Sequence, residues 1–292
     1  MITPLENEQS FRPDAGRLGV SPLTADEFDQ IARLVYNEFG LDLRRGKELM
    51  VSARLMRHLR ALNCRSFTEY YRRVIKDSSG VALSDMVDAL TTNFTRFWRE
   101  ASHFDFLQAT VAPLLMGRGA ARVWCAAAAT GEEPYSIAIC LLDAFGPHSS
   151  VPISITATDI SSRALKMASR GIYPTERLRA LPPQWVPRYF LNGDGAFKGS
   201  CRIRPEVRRL VHFRRVNLTQ PLPDLGTFAV IFCRNVMIYF DHATQSSTMR
   251  RVVEHLDPGG HLIIGHSESL TGFDCGLQYV RPGIYRKAQR QW

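Results

Sequence analysis

The sequence predicts an α/β fold: a doubly wound, mostly parallel sheet closed by an antiparallel terminal strand. A small all-α domain precedes it and a β-subdomain is inserted in it. Three observations carry this prediction. Residues 122–142 pass from an apolar strand (123–125) through small residues and Gly131 into a helix, with Pro134 in a first-turn position where its missing N–H is tolerated. Strand, small-residue turn and helix form the opening unit of a nucleotide-binding sheet, whose backbone must approach a ligand closely. Further strand-like runs at 152–159, 210–217 and 229–233 each end in polar or small residues, and residues 21–90 carry helical periodicity throughout.

Composition sets the outer bounds. With 292 residues, 45% of them hydrophobic, the chain can bury one large core and a smaller one. Its net charge of +9 favours anionic partners, whether nucleic acid, a membrane surface or an acidic protein. The six cysteines include no C-x-x-C pair, and Cys125, Cys140 and Cys233 sit in apolar runs, which points to buried thiols in a reducing compartment. The eight histidines lack metal-ligand spacing, so no metal is expected. No apolar run approaches the ~20 residues that span a bilayer. Residues 1–20 are polar, with no apolar signal region, and read as a disordered tail. A cytoplasmic protein without membrane insertion is expected.

The first helix follows from Phe28, Ile31, Ala32, Val35 and Phe39, with Gly40 as its stop. A second covers about 46–62, with Leu55, Leu59 and Leu62 on one side and Arg54, Arg57 and His58 on another, near Arg65. That basic face reads either as a solvated surface or as a docking surface for an acidic helix. Residues 91–100 then interleave Asn93, Thr95 and Arg99 with Phe94, Phe97 and Trp98, a pattern that anchors apolar side chains while aiming polar ones at a cleft. Thr95 is placed to cap the helix that follows.

Beyond the opening unit, Asp159 ends the second strand, where an acid either binds ribose hydroxyls or caps the helix over 161–170. Some fifty residues then separate Asp159 from the next strong strand, more than one crossover helix needs. Turn-rich residues 188–210 are the expected inserted β-subdomain, with exposed edges able to accept a peptide strand. The strand over 229–233 leads into Arg234 and Asn235, and a helix over 242–256 follows. Residues 257–260 form a turn into a strand over 261–265, and the chain closes with a hairpin of 278–280 and 284–286. The divisions are therefore a tail (1–20), a helical domain (21–90) and an α/β domain (91–292).

Charge in the opening turn narrows the ligand. A phosphate-binding turn leaves its helix N-terminus bare, whereas Glu132 and Glu133 stand here, with no G-x-G-x-x-G and no G-K-[ST]. The two carboxylates either complement the helix dipole or receive a ligand with hydroxyls and positive charge, such as S-adenosylmethionine (SAM). Residues 126–131, Asp159, Asn217 and Arg234–Asn235 fall at the carboxyl ends of four successive strands, where open α/β sheets bind ligands.

The runs T-T-N-F-T-R-F-W-R-E, A-A-A-A-T-G-E-E-P-Y-S-I-A, A-T-D-I, F-C-R-N-V-M-I-Y-F-D and G-H-S-E-S together resemble the chemotaxis receptor methyltransferases, the CheR family, over about residues 21–288. The resemblance implies a class I SAM-dependent methyltransferase fold, Rossmann-like, and a cytoplasmic enzyme that esterifies glutamate side chains on chemoreceptor helices. It implies SAM contacts from Asn93, Thr95, Arg99, Glu133, Asp159, Asn217, Leu218, Arg234 and Asn235, with Arg99 and Tyr239 nearest methyl transfer. Tyr239 is either an orienter of the substrate carboxylate or a core aromatic. Docking of a receptor's C-terminal pentapeptide at the glycine-containing loop 193–199 is implied as well. A nucleic-acid methyltransferase suits the positive charge but lacks the Asn/Asp-Pro-Pro-Tyr run of amino-directed enzymes, so no nucleic-acid partner is expected. A non-catalytic SAM-binding docking module ranks last, because no site position is missing.

Overall fold

A computed structural model describes residues 19–91 and 93–289. The tail expected over 1–20 falls almost wholly outside them; Val20, the last residue of that span, is buried. The chain divides into two compact units, one of residues up to Leu34 with 43–90, the other of Val35–Asp42 with residues from Thr91 onward.

The first unit is helical. α1 (Ala25–Phe39) begins here on a capping box: the Glu27 N–H donates to Thr24 Oγ1, and the Thr24 N–H donates to Glu27 Oε2. The second Glu27 oxygen accepts from the backbone and hydroxyl of Thr68, at the start of α3 (Phe67–Lys76). Four bonds onto this carboxyl, from the backbones and hydroxyls of Thr24 and Thr68, hold it below its usual range against the opposing effect of burial. α2 (Glu48–Ala61) buries Val51, Leu55 and Leu59 along one stripe, and α4 (Val81–Leu90) closes the unit. Leu62, expected on that stripe, lies beyond the helix end and is 37% exposed. Arg57 and Arg65 are exposed, while Arg54 donates to the Leu90 carbonyl, so the basic face is smaller than the sequence implies.

The second unit is built on a seven-stranded sheet. Its strands are β1 (Ala121–Cys125), β2 (Ile153–Asp159), β6 (Val211–Arg215), β7 (Phe228–Phe232), β8 (Leu256–Ile263), β9 (Leu277–Arg281) and β10 (Ile284–Lys287). They are ordered β6-β2-β1-β7-β8-β10-β9, the first five parallel and the terminal hairpin antiparallel. Alternation along the central strands supplies two cores. Val123, Cys125, Val230 and Phe232 pack with the buried face of α7 (Glu132–Phe145). Trp124, Ala126 and Ile231 pack on the other side with Met249, Val252 and Val253 of α11 (His242–Glu254). The Trp124 indole N–H, fully buried, is satisfied by Thr158 Oγ1 at 2.9 Å.

Three local expectations are corrected. The helix after residues 91–100, α5 (Ala101–Phe106), starts too late for Thr95 to cap it; Glu100 precedes it in a left-handed conformation with no side-chain cap. The Asp-Pro-Gly-Gly stretch is part of β8 and not a turn. Pro258 is tolerated there because the pairing with β7 shifts register between Phe228 and Val230, leaving a site that needs no proline N–H. The inserted sheet, β3 (Ile172–Pro174), β4 (Phe190–Asn192) and β5 (Ser200–Ile203), starts upstream of 188 and has order β3-β5-β4. A three-residue strand holding a proline leaves too little pattern to read. Its Tyr173 hydroxyl donates to the Thr130 carbonyl, fastening this sheet beneath the opening turn.

All six cysteines are unpaired and five are buried. Among the described residues, no helix is long and apolar enough to cross a membrane. His261 in β8 is 5% exposed, and burial, with Arg286 and Arg118 nearby, holds its pKa down to about 4. Native protein therefore refuses a proton that the unfolded chain takes up below about pH 6.5, so this residue lowers stability as pH falls. Between pH 7 and pH 5 it should cost about 2 kcal/mol. Urea titrations of wild type and His261→Leu should diverge by that amount; parallel pH slopes would refute the assignment.

Candidate functional site

The carboxyl ends of β1, β2, β6 and β7 open onto one cleft enclosing about 810 Å³, the space at its mouth included. Asn93, Thr95, Arg99, Glu133, Asp159, Asn217, Leu218, Arg234, Asn235 and Tyr239 all line it. Residues 93–100, drawn from one loop, reach it because Phe97 is fully buried between Tyr173 and Phe190, while Trp98 stacks on Phe104. Phe94 does not share in that anchoring; it is 72% exposed on the cleft wall.

Among the described residues, four of the five non-glycine residues with positive φ, namely Trp98, Glu100, Ala129 and Asn235, lie in the loops bounding this cleft. Each such conformation costs on the order of 1 kcal/mol and persists only where neighbours enforce it. At Ala129 the enforcer is Asp159, whose Oδ2 accepts the Ala129 N–H at 2.8 Å while Oδ1 accepts that of Ser161 at 2.9 Å. Asp159 does not cap the next helix, α8 (Ser162–Arg170); Ser161 does, accepting from the Ala164 N–H. Gly131, at φ +96°, caps α7 where an added Cβ would stand 2.7 Å from Ala168 Cβ and 2.8 Å from Tyr173 Oη. No other residue fits.

The two glutamates of the opening turn part company. Glu132 is fully buried, pairs with Arg177 and accepts from Thr130 Oγ1, so it stays out of the cleft and repels nothing there. Glu133 faces the cleft and pairs with Arg234 at 2.7 Å. Burial raises the Glu133 carboxyl above its usual range, and Arg234 opposes that rise. The Arg234 side chain is itself inaccessible, paired also with Glu100 at 3.0 Å and donating to the Arg99 carbonyl at 2.6 Å. It organises the site more than it presents charge to a ligand. Asn217 is committed likewise: Nδ2 donates to the Glu38 carbonyl and Oδ1 accepts from the Thr219 backbone and hydroxyl. Arg99 Nη1 donates to the Phe94 carbonyl, and its half-buried head stands at the cleft.

Phe39 and Leu41 also line the cleft, and the sequence offered no sign of it. Phe39 satisfies the helical period of α1, so its contribution to a ligand wall was masked by an ordinary core pattern. Gly40, at φ +66°, lets this segment pass Thr219 and Thr244, where an added Cβ would fall 2.7–2.8 Å from their methyl groups.

Comparison with known proteins decides what kind of cleft this is. Residues 26–91 match the model of the CheR methyltransferase all-alpha domain, and residues 93–281 match that of the CheR methyltransferase SAM binding domain. The chain belongs to the CheR methyltransferase family. It is 42% identical over 266 residues to chemotaxis protein methyltransferase 2 of Pseudomonas aeruginosa, covering 91% of this chain and 94% of that one. To the chemotaxis protein methyltransferase of Escherichia coli it is 40% identical over 255 residues, covering 85% and 86%. The fold is that of the class I SAM-dependent methyltransferases, and the cleft lies within the stretch matched to the CheR SAM binding domain.

The cleft's chemistry fits SAM. Asp159 supplies a carboxylate at the end of β2 that accepts the Ala129 and Ser161 N–H groups, the kind of acceptor a ribose diol requires. The bare alanines 126, 127 and 129 leave room for close backbone approach, and Phe39, Leu41, Val216, Leu218 and Phe240 form an apolar wall suited to a purine.

Proposed function

We propose that this CheR-family methyltransferase transfers the methyl group of SAM to glutamate side chains on the cytoplasmic helices of chemoreceptors, giving glutamate methyl esters. The single observation that carries the reading is the match of residues 26–91 and 93–281 to the two CheR domains, with an acid-bearing cleft at the strand ends of the second. SAM contacts are assigned to Asn93, Thr95, Arg99, Glu133, Asp159, Asn217, Leu218, Arg234 and Asn235. The backbones of Asn217 and Arg234 are the parts offered to the ligand, since both side chains are occupied. The exposed arginines of the first unit, together with the net charge of +9, support an acidic helical partner. The loop 193–199 carries exposed Phe197 and supports docking of a receptor C-terminal pentapeptide.

Bound SAM supplies an electrophilic methyl group on a sulfonium. A glutamate side chain, with its pKa near 4.3, is ionised at neutral pH and needs no general base. Because an anion and a cation give neutral products, charge is lost at the transition state, and tight pairing of the substrate carboxylate would stabilise the ground state more. The residues are therefore asked for alignment and exclusion of water, worth several kcal/mol. Arg99, half-buried, holds the cofactor's carboxylate, while Tyr239 orients the incoming glutamate.

The test is methyl transfer from tritiated SAM to receptor-containing membranes, read as alkali-labile label on glutamate. Label appearing in RNA would overturn the reading. In the same assay Tyr239→Phe should reduce turnover about 10-fold while leaving adenosylhomocysteine affinity within roughly threefold. Calorimetry showing lost cofactor binding would remove Tyr239 from the transfer step.

A further inference from the structure

Outside the cleft, Glu268 makes an arrangement for which the proposed reaction has so far no use. It follows β8 in a tight turn, and its carboxylate collects four backbone N–H groups. Oε2 accepts those of Gly265 at 2.7 Å and Asn235 at 2.9 Å. Oε1 accepts those of Val236 and Met237, both at 2.9 Å. An ionised carboxylate has about four acceptor positions, and all are filled. Three consecutive amides of the loop leaving β7 are thus gathered on one side chain from a different strand end. Asn235 is held there at φ +55°, and an added Cβ at Gly265 would fall 2.4 Å from Asn235 Nδ2.

A second carboxylate completes the hold. Glu100 accepts from Asn235 Nδ2 at 3.3 Å and from the His266 N–H at 3.1 Å, besides pairing with Arg234. Starting on the last of the pinned amides, Met237–Tyr239 forms a single 3₁₀ turn that ends on Tyr239 at the cleft wall. Glu268 is absent from the cleft lining itself.

We infer that Glu268 is a positioning residue for methyl transfer: it fixes the 234–239 loop so that Asn235 and Tyr239 stand at the cleft in one conformation. This rests on the proposed function for its kinetic consequence, but not for its structural one. Glutamine in its place has one acceptor oxygen and a donor NH₂, so two of the four amides would lose their partner and confront a donor. Aspartate keeps the charge on a shorter stem.

The test uses the full chain as wild type, E268Q and E268D, with S267A as a surface comparison. Backbone amide exchange is followed at residues 235–237 and 265, alongside kcat, KM for SAM and Kd for adenosylhomocysteine. In E268Q, exchange of Val236 and Met237 should accelerate at least 10-fold while β1 amides stay protected. Its kcat should fall about 10-fold, with KM and Kd changed no more than threefold. E268D should fall between, and S267A should match wild type. Unaltered exchange at 235–237 in E268Q and E268D would overturn the inference, as would a kcat loss matched by an equal loss of cofactor affinity. If wild type transfers no methyl group to receptors, the proposed function fails, and the exchange measurements still decide whether Glu268 fixes the loop.

Discussion

Replacing Arg234 with methionine should destabilise the second unit by about 3–5 kcal/mol and abolish measurable binding of adenosylhomocysteine. The Arg234 side chain is 0% exposed and stands between Glu133 and Glu100, which are only 8% and 14% exposed. Removing the cation takes the shared partner from two nearly buried carboxylates, and Glu100 retains the more distant Arg99 at 3.9 Å with its two amide donors. The penalty is chiefly the desolvation of orphaned charge, not the worth of a salt bridge, which for a buried pair is often near zero. The Arg99 carbonyl loses its donor as well, and with it the loop that brings Arg99 to the cleft. For a chain of this size the melting temperature should drop on the order of 10 °C. Adding Glu133→Gln should recover part of that loss, because one of the stranded charges is then gone. A single variant melting within 1 °C of wild type would show that Arg234 is not the charge centre of this site.

The same residue shows how much was legible beforehand. Strand ends betray themselves, since a run of apolar residues that stops in Asp159 or Arg234–Asn235 reports both the strand and the edge where ligands collect. Ten residues expected at one edge do line one cleft. What each side chain does there is another matter. Glu132 and Glu133 are adjacent in sequence, but neighbours on a helix point about 100° apart, so only one faces the cleft. Arg234 and Asn217 were expected to meet a ligand, whereas their side chains are occupied by Glu133, Glu100, Glu38 and Thr219. Positive φ at Trp98, Glu100 and Ala129 has no sequence signal, because none is the glycine or asparagine that such a conformation favours, and at Asn235 the residue type tolerates it without marking it. Tertiary bonds from Asp159 and Glu268 impose it at two of them, and residues thirty or more positions away cannot be read from local pattern.

Asp159 is the position where backbone order and ligand recognition meet, and Asp159→Ala should weaken adenosylhomocysteine binding by about 100-fold or more, equivalent to roughly 2.7 kcal/mol. Two losses combine. The carboxylate, 8% exposed at the end of β2, would no longer receive a ribose diol, a charge-assisted interaction worth about 1.5–3 kcal/mol. The Ala129 N–H would also lose its partner, releasing the φ +46° turn that brings bare backbone to the ligand. Asp159→Asn separates charge from shape. Its amide can offer an acceptor to only one of the Ala129 and Ser161 N–H groups, and its NH₂ confronts the other. Affinity should therefore fall nearly as far in the asparagine variant as in the alanine one, although side-chain volume is kept. The fold should tolerate both, since β2 keeps its ladder to β1 and β6, with stability lost by no more than about 2 kcal/mol. Calorimetric titration with adenosylhomocysteine, paired with a thermal melt, distinguishes the two contributions. Unchanged affinity in Asp159→Ala would strike Asp159 from the cofactor contacts, and full affinity in Asp159→Asn would show that the carboxylate's charge and twin acceptors are not what the ligand reads.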